Sequence, residues 1–270
     1  MLNDTANICI LFVKCKMAKK KYICNDIIMT SMKNTVLLLL AIFSMTMGFS
    51  QSKKYPTETD THIFWQPERK LTIQDFQCNA ENNPTAVKEC DSLGYCVVGA
   101  FGLFHVIDAS KKYKPGRYRE ILYMVPAFQK TESWNLGTES DTLGVQLQQL
   151  LYDLYELCAR YIRYDIDHVA DSIFGKVDNP YTTWFNTVYE DREENFAYMQ
   201  YICTCDLVKK NSGRGYEEWR SFVDEQLEKM KDYATTPKDC YRFIANKPIE
   251  KKMVMAKYVT PNLYNRGKKK

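Results

Sequence analysis

Apolar residues in the second half of the chain recur every three or four positions. From Leu143 they run through Leu147, Leu150, Leu154, Cys158 and Tyr161. That stripe is the mark of an amphipathic helix, and it predicts one long helix over Thr142–Phe174. A second helical region over 182–209 offers Trp184, Val188, Phe196, Met199 and Ile202 to the core. A third, over 215–233, carries Trp219, Phe222, Val223, Leu227 and Met230 on one face.

The first half reads differently. Tyr95–Ala109 is rich in β-branched and aromatic residues and predicts a strand, with Gly99 and Gly102 marking a bulge or a close approach. Ile121–Phe128 predicts a second strand, antiparallel to the first, and Pro126 assigns it to a sheet edge or near its own end. Leu71–Ile73 leans towards β structure, and residues 78–92, "CNAENNPTAVKECDS", read as a loop. Strands precede helices, so the expected class is α+β: a small antiparallel sheet in the N-terminal half followed by a helical C-terminal half.

The segment from Met32, "MKNTVLLLLAIFSMTMGFSQ", has a lysine, an apolar run and small residues before Gln51. It predicts a signal peptide over 32–50, cleaved near Ser50–Gln51, and hence a periplasmic or secreted protein. Counted from Val36 to Phe49 the run has 14 residues, short of the roughly 20 that span a bilayer. No transmembrane anchor is therefore expected in the mature chain. Residues 1–31 read as an upstream mis-start or a long basic leader, 51–63 as a linker, 64–250 as one α+β domain and 251–270 as a basic tail.

Charge narrows the partners. Residues 1–50 hold six lysines against two aspartates, which accounts for the whole net charge of +4. The remainder is balanced at 31 basic and 31 acidic residues, which argues against nucleic acid. Seven of the ten cysteines lie beyond the leader. Seven is odd, so at least one thiol stays unpaired within a monomer; Cys158, on the apolar stripe, is the choice. Cys78, Cys90, Cys96, Cys203, Cys205 and Cys240 allow fifteen pairings, which sequence does not decide.

Several short stretches occur in a distinctive order: Trp65, then L-T-x-x-D-F (Leu71, Thr72, Asp75, Phe76), then Ser133–Trp134, then D-L-Y-E-L-C-A-R from Asp153 to Arg160. Over roughly Phe64 to Gln200 this resembles the secreted bacterial putative zinc-dependent proteases known as domain of unknown function 922. The resemblance implies a zincin-like active-site helix, with Asp153, Glu156 and Arg160 as retained motif residues. In that register the family's first metal histidine falls on Leu147, its catalytic glutamate on Gln148 and its second metal histidine on Leu151. The H-E-x-x-H motif thus reads Leu147-Gln148-Gln149-Leu150-Leu151. The family's downstream histidine segment corresponds to 186–202, which has no histidine.

The chemistry of the motif makes this loss decisive. Histidines at i and i+4 share one zinc, and the glutamate between them takes a proton from the zinc-bound water. Leucine has no lone pair for a metal, and a glutamine amide is no general base near neutral pH. His168 lies about 25 Å along the helix from Leu151. His62 and His105 have no metal-site spacing. Asp153 and Glu156 sit roughly 200° and 140° around the helix from Leu151 and face elsewhere. Glu156 and Arg160, four apart, are expected to pair on the helix surface or in a second layer. Cys203-Thr204-Cys205 lacks a second pair for zinc. Asp165, Asp167 and Asp171 read as a solvated face, and the four tryptophans as core.

The reading is an exported metallopeptidase-like protein without its zinc site, with no catalytic residue and no cofactor. It would bind a peptide or an envelope component in the former cleft. The alternatives are an active secreted zinc-dependent hydrolase with an unrecognised site, and a structural envelope protein without a cleft. A cleft with an apolar floor would favour the first of the three.

Overall fold

The structure, a computed structural model, describes residues 55–78, 84–93, 96–112, 119–136, 142–172, 179–208 and 213–256. The leader, the Ser50–Gln51 junction and the end of the basic tail lie outside them. The protein is α+β. Strands β1 (His62–Phe64), β3 (Phe101–Ser110), β4 (Glu120–Gln129) and β6 (Met253–Met255) form an antiparallel sheet in the order β1-β4-β3-β6. β2 (Val97–Val98) pairs separately with β5 (Trp134–Asn135). The helices are α1 (Pro84–Leu93), α2 (Thr142–Ser172), α3 (Pro180–Val208), α4 (Tyr216–Lys229) and α5 (Pro237–Ile244). The sheet passes both expected domain bounds, since β1 begins at His62 and β6 lies within the segment read as tail. Among the described residues no helix is long and apolar enough to cross a membrane.

The antiparallel pairing of the two long strands is as expected; β4 is a central strand rather than an edge, with Pro126 near its end, as the second of the two alternatives had it. Its alternate residues serve two cores. Met124 and Phe128 face α2, in clusters that include Leu103, Leu154 and Tyr152. Val125 and Ala127 face α5, beside Phe64 and Cys240. Burial on both faces explains why this strand is a nearly unbroken apolar run. Pro126 is tolerated because β1 ends there. The Trp65 N–H donates to the Pro126 carbonyl at 3.0 Å, but Pro126 has no N–H to return. The Trp65 carbonyl is satisfied instead by the Gln66 side-chain amide at 2.5 Å.

Three other local expectations change. Tyr95–Ala109 is broken at Gly99–Ala100 into β2 and β3, which join different sheets. Part of the expected loop is α1, opened by Pro84, where a missing N–H costs nothing. Leu71–Ile73 leads into a 3₁₀ turn over Ile73–Asp75 rather than a strand. Asp75 drives that turn by accepting from the Thr72 N–H (2.7 Å) and hydroxyl (3.0 Å) and from Arg69 Nη2 (2.6 Å). Burial alone would raise the Asp75 carboxyl, but Arg69 and the Thr72 N–H outweigh it and hold it below the usual range. An acid depressed on folding stabilises above its unfolded pKa of about 4 and stops doing so as pH falls. The stability gap between wild type and Asp75→Asn is therefore expected to be constant above about pH 5 and to narrow towards pH 3. Urea titrations across that range test this, and a gap independent of pH refutes it.

Candidate functional site

Helix α2 is the centre of the molecule, and most of its length is buried. Leu150, Leu154 and Cys158 enter the main core, as the stripe predicted, and Leu157 joins them from outside the stripe. Leu143, in the first turn, is 74% exposed instead. The two glutamines have separate tasks. Gln148, 1% exposed, accepts from the Gly99 N–H through Oε1 and donates from Nε2 to the Val97 carbonyl, both at 2.9 Å. Its primary amide acts as one more strand partner for β2. Gly99 allows the approach: a Cβ there would lie 2.5 Å from the Phe101 ring and 3.1 Å from Gln148 Oε1. Gln149 accepts from the Leu71 N–H at 2.8 Å and donates to Asp153 Oδ1 at 2.9 Å.

The retained motif residues are brought together, away from Leu151. Asp153 accepts from the Trp65 indole N–H at 2.7 Å and from Arg220 Nη1 at 2.7 Å. Glu156, expected on a helix surface or in a second layer, is fully buried. It accepts from Arg160 Nε at 2.7 Å, from the Thr235 N–H at 2.9 Å and from the Thr235 hydroxyl at 2.5 Å. Arg160 also donates to the Leu227 carbonyl and lies 5.2 Å from the centroid of the Trp65 ring. Phe76 and Tyr152 share a core cluster with Trp65 and Leu71. Trp65, L-T-x-x-D-F and D-L-Y-E-L-C-A-R therefore form one contiguous unit. It fastens the start of the fold, α4 and the segment before α5 to α2.

The histidines occupy three separate environments. His62 is half-buried on β1, with Nδ1 2.8 Å from the Thr61 hydroxyl. His105 is buried on β3 between the rings of Phe185 and Tyr189. His168 is exposed, with Nδ1 2.8 Å from the Tyr164 carbonyl. Among the described residues no three His, Cys, Asp or Glu side chains are grouped to hold a metal. The donor set at Leu147 and Leu151 does not fit zinc, because neither side chain offers a lone pair. The cysteines satisfy the parity argument with fewer bridges than the six candidate partners allow. One disulfide, Cys90–Cys96, forms among the described residues, and Cys158 keeps its thiol as expected; so do Cys78, Cys203, Cys205 and Cys240. Burial pushes the Cys158 thiol up, which makes it a poor nucleophile. Of the acidic patch, Asp165 pairs with Arg192, and Asp167 accepts from the Tyr181 hydroxyl at 2.5 Å. Trp184, expected in the core, is 39% exposed; the other three tryptophans are buried.

The notable concavity lies beside Gln148. A pocket of about 320 Å³ opens between α2, α3 and the β2–β3 junction. α2 contributes Gln148, Leu151 and Tyr155; Gly99 and Phe101 close one side. Opposite stand Ala197, Gln200, Tyr201 and Thr204, one face of α3. Every lining side chain is uncharged. Burial pushes the Tyr155 phenol up to about 12, so it stays neutral across the physiological range. Sequence reasoning singled out Leu151 and Gln148 but missed the rest. The available signal was the shared spacing: positions 148, 151 and 155 lie on one helical face, as do 197, 200, 201 and 204.

A second cavity, of about 360 Å³, lies between β4, α2 and the segment around Tyr233. Three of its charged side chains are engaged internally: Glu120 accepts from the Tyr181 N–H at 2.8 Å, Arg163 donates to the Thr235 hydroxyl at 2.6 Å, and Asp167 accepts from the Tyr181 hydroxyl at 2.5 Å. No protein-family model, no curated protein and no solved structure matches this chain.

Proposed function

We propose that the protein is an exported, zinc-less relative of the putative zinc-dependent protease family, and that it binds a ligand where its relatives cleave one. Gln148 carries the proposal. At the position aligned with the catalytic glutamate stands an amide whose donor and acceptor are both spent on backbone groups of the β2 segment. A group so engaged holds structure and leaves no base to activate water. Leu151, at the position aligned with a metal histidine, instead lines an uncharged pocket. An uncharged pocket at this place supports binding over a purely structural role, for which a filled interior would be expected. The contiguity of Trp65, the L-T-x-x-D-F turn and the Asp153–Arg160 segment supports the resemblance, since scattered motif matches would have no reason to pack together.

The test is metal content. The exported protein, dialysed gently against zinc, is expected to retain no stoichiometric metal by atomic emission and to cleave no unstructured protein substrate. One zinc per chain would overturn the proposal.

A further inference from the structure

We infer that the pocket beside Gln148 receives an uncharged aromatic ring, the side chain of a phenylalanine, tyrosine or tryptophan in a bound peptide. The inference rests on the non-catalytic binding function proposed above and specifies its ligand. Four features of the pocket select this occupant.

The first is charge. The lining has no cation and no anion. A charged side chain entering it would lose water and gain no counter-charge, which is strongly unfavourable. The second is aromatic continuity. Phe101 already packs against Tyr152 and Tyr155, with both centroid separations at 5.4 Å. Tyr201, 58% exposed, stands at the mouth. An incoming ring extends an existing aromatic cluster, where offset and edge contacts contribute beyond the burial of area.

The third is the state of the polar groups. A sugar ring of similar size would bury several hydroxyls, each needing a partner. Gln148 is already bonded to Gly99 and Val97. Gln200 lowers the Tyr155 phenol's pKa, against the dominant rise from burial. The buried amide of Gln148 thus holds the pocket's own wall, leaving an apolar ring as the better match. The fourth is size. About 320 Å³ stands at the lower end of the roughly 300–1,000 Å³ typical of ligand sites, which favours a single anchoring side chain over an extended ligand. Aromatic anchors in such pockets are common centres of peptide recognition.

The test is an NMR titration of the exported protein, labelled on leucine methyls. The probes are N-acetylphenylalaninamide, N-acetyllysinamide and N-acetylglucosamine. The phenylalanine amide is expected to give saturable shifts at Leu151, unchanged between about pH 5 and 9, a window below the Tyr155 titration. The lysine amide and the sugar are expected to give none. Tyr201→Ala, at an exposed position that leaves the fold intact, is expected to weaken binding about two- to ten-fold. Ala197→Trp, which fills the space from the α3 side and keeps the Leu151 probe, is expected to abolish it. Sugar binding as tight as that of the phenylalanine amide overturns the ring assignment while leaving the non-catalytic function in place. Equal binding of the lysine amide, or no binding by any probe, overturns the inference as well. Stoichiometric zinc, measured separately, would remove the functional proposal itself.

Discussion

Glu156→Ala is expected to cost about 3–5 kcal/mol of folding stability, the loss typical when one partner of a buried ion pair is removed. Glu156 is fully buried and accepts three hydrogen bonds, from Arg160 and from the backbone and side chain of Thr235. Arg163 Nη2 lies 3.8 Å from its second oxygen. Truncation strands the Arg160 guanidinium in the interior and removes the acceptor that fixes the segment before α5. Glu156→Gln keeps the shape but not the charge, and should fall between wild type and alanine. Glu194→Ala, at an exposed position on α3, is the control and should stay within about 0.5 kcal/mol. Urea unfolding at constant m-value gives all three. A loss below about 1 kcal/mol for Glu156→Ala would mean that other groups take over its bonds.

The same residue shows how far the sequence could be read. Spacing identified α2, its buried stripe and the four-residue step from Glu156 to Arg160. It did not tell a surface pair from a buried one, because burial of the pair depends on Thr235 and Leu227, about 70 residues away. The strand–helix order gave the α+β class for a similar reason: periodicity is local. The place of β4 in the sheet is not local. Pro126 argued for an edge or a place near the strand's end, and what decides between them is the end of β1 at the register position where no N–H is needed.

Helix α1 was obscured by polar composition, although Pro84 at its first position was a legible start signal. Trp184 was assigned to the core by residue type. α3 is polar and apolar nearly all round, so no single stripe marks its buried face. The cysteine count allowed three disulfides, while the packing leaves Cys203, Cys205 and Cys240 as buried thiols. The pocket was least legible of all. Its walls come from three segments about 50 residues apart, and they share no motif.

Gln148→Glu, a change of one amide to a carboxylate, is expected to destabilise by about 3 kcal/mol at neutral pH. The introduced carboxylate, once ionised, would have no donor for the oxygen that replaces Nε2, which would face the Val97 carbonyl where Nε2 now donates at 2.9 Å. Gly99 would still donate to the other oxygen, but no cation lines the site. The folded state therefore favours the neutral acid, and the pKa of the introduced side chain rises above the usual glutamate value of about 4.3. The sign follows from linkage. At about pH 4 and below, both states are largely protonated, and the acid's O–H can donate to Val97, so the variant approaches wild type. As pH rises above about 4.3, the unfolded chain releases the proton that the folded chain retains. Stability then falls by up to about 1.4 kcal/mol per unit until the folded acid itself ionises. Unfolding free energies at pH 4 and pH 7.5 are expected to show a deficit that is small in acid and large at neutrality. A glutamate pointing into an open catalytic cleft would ionise normally and leave the deficit flat with pH. That outcome would mean that position 148 is open to solvent, against the buried amide bonded to Gly99 and Val97.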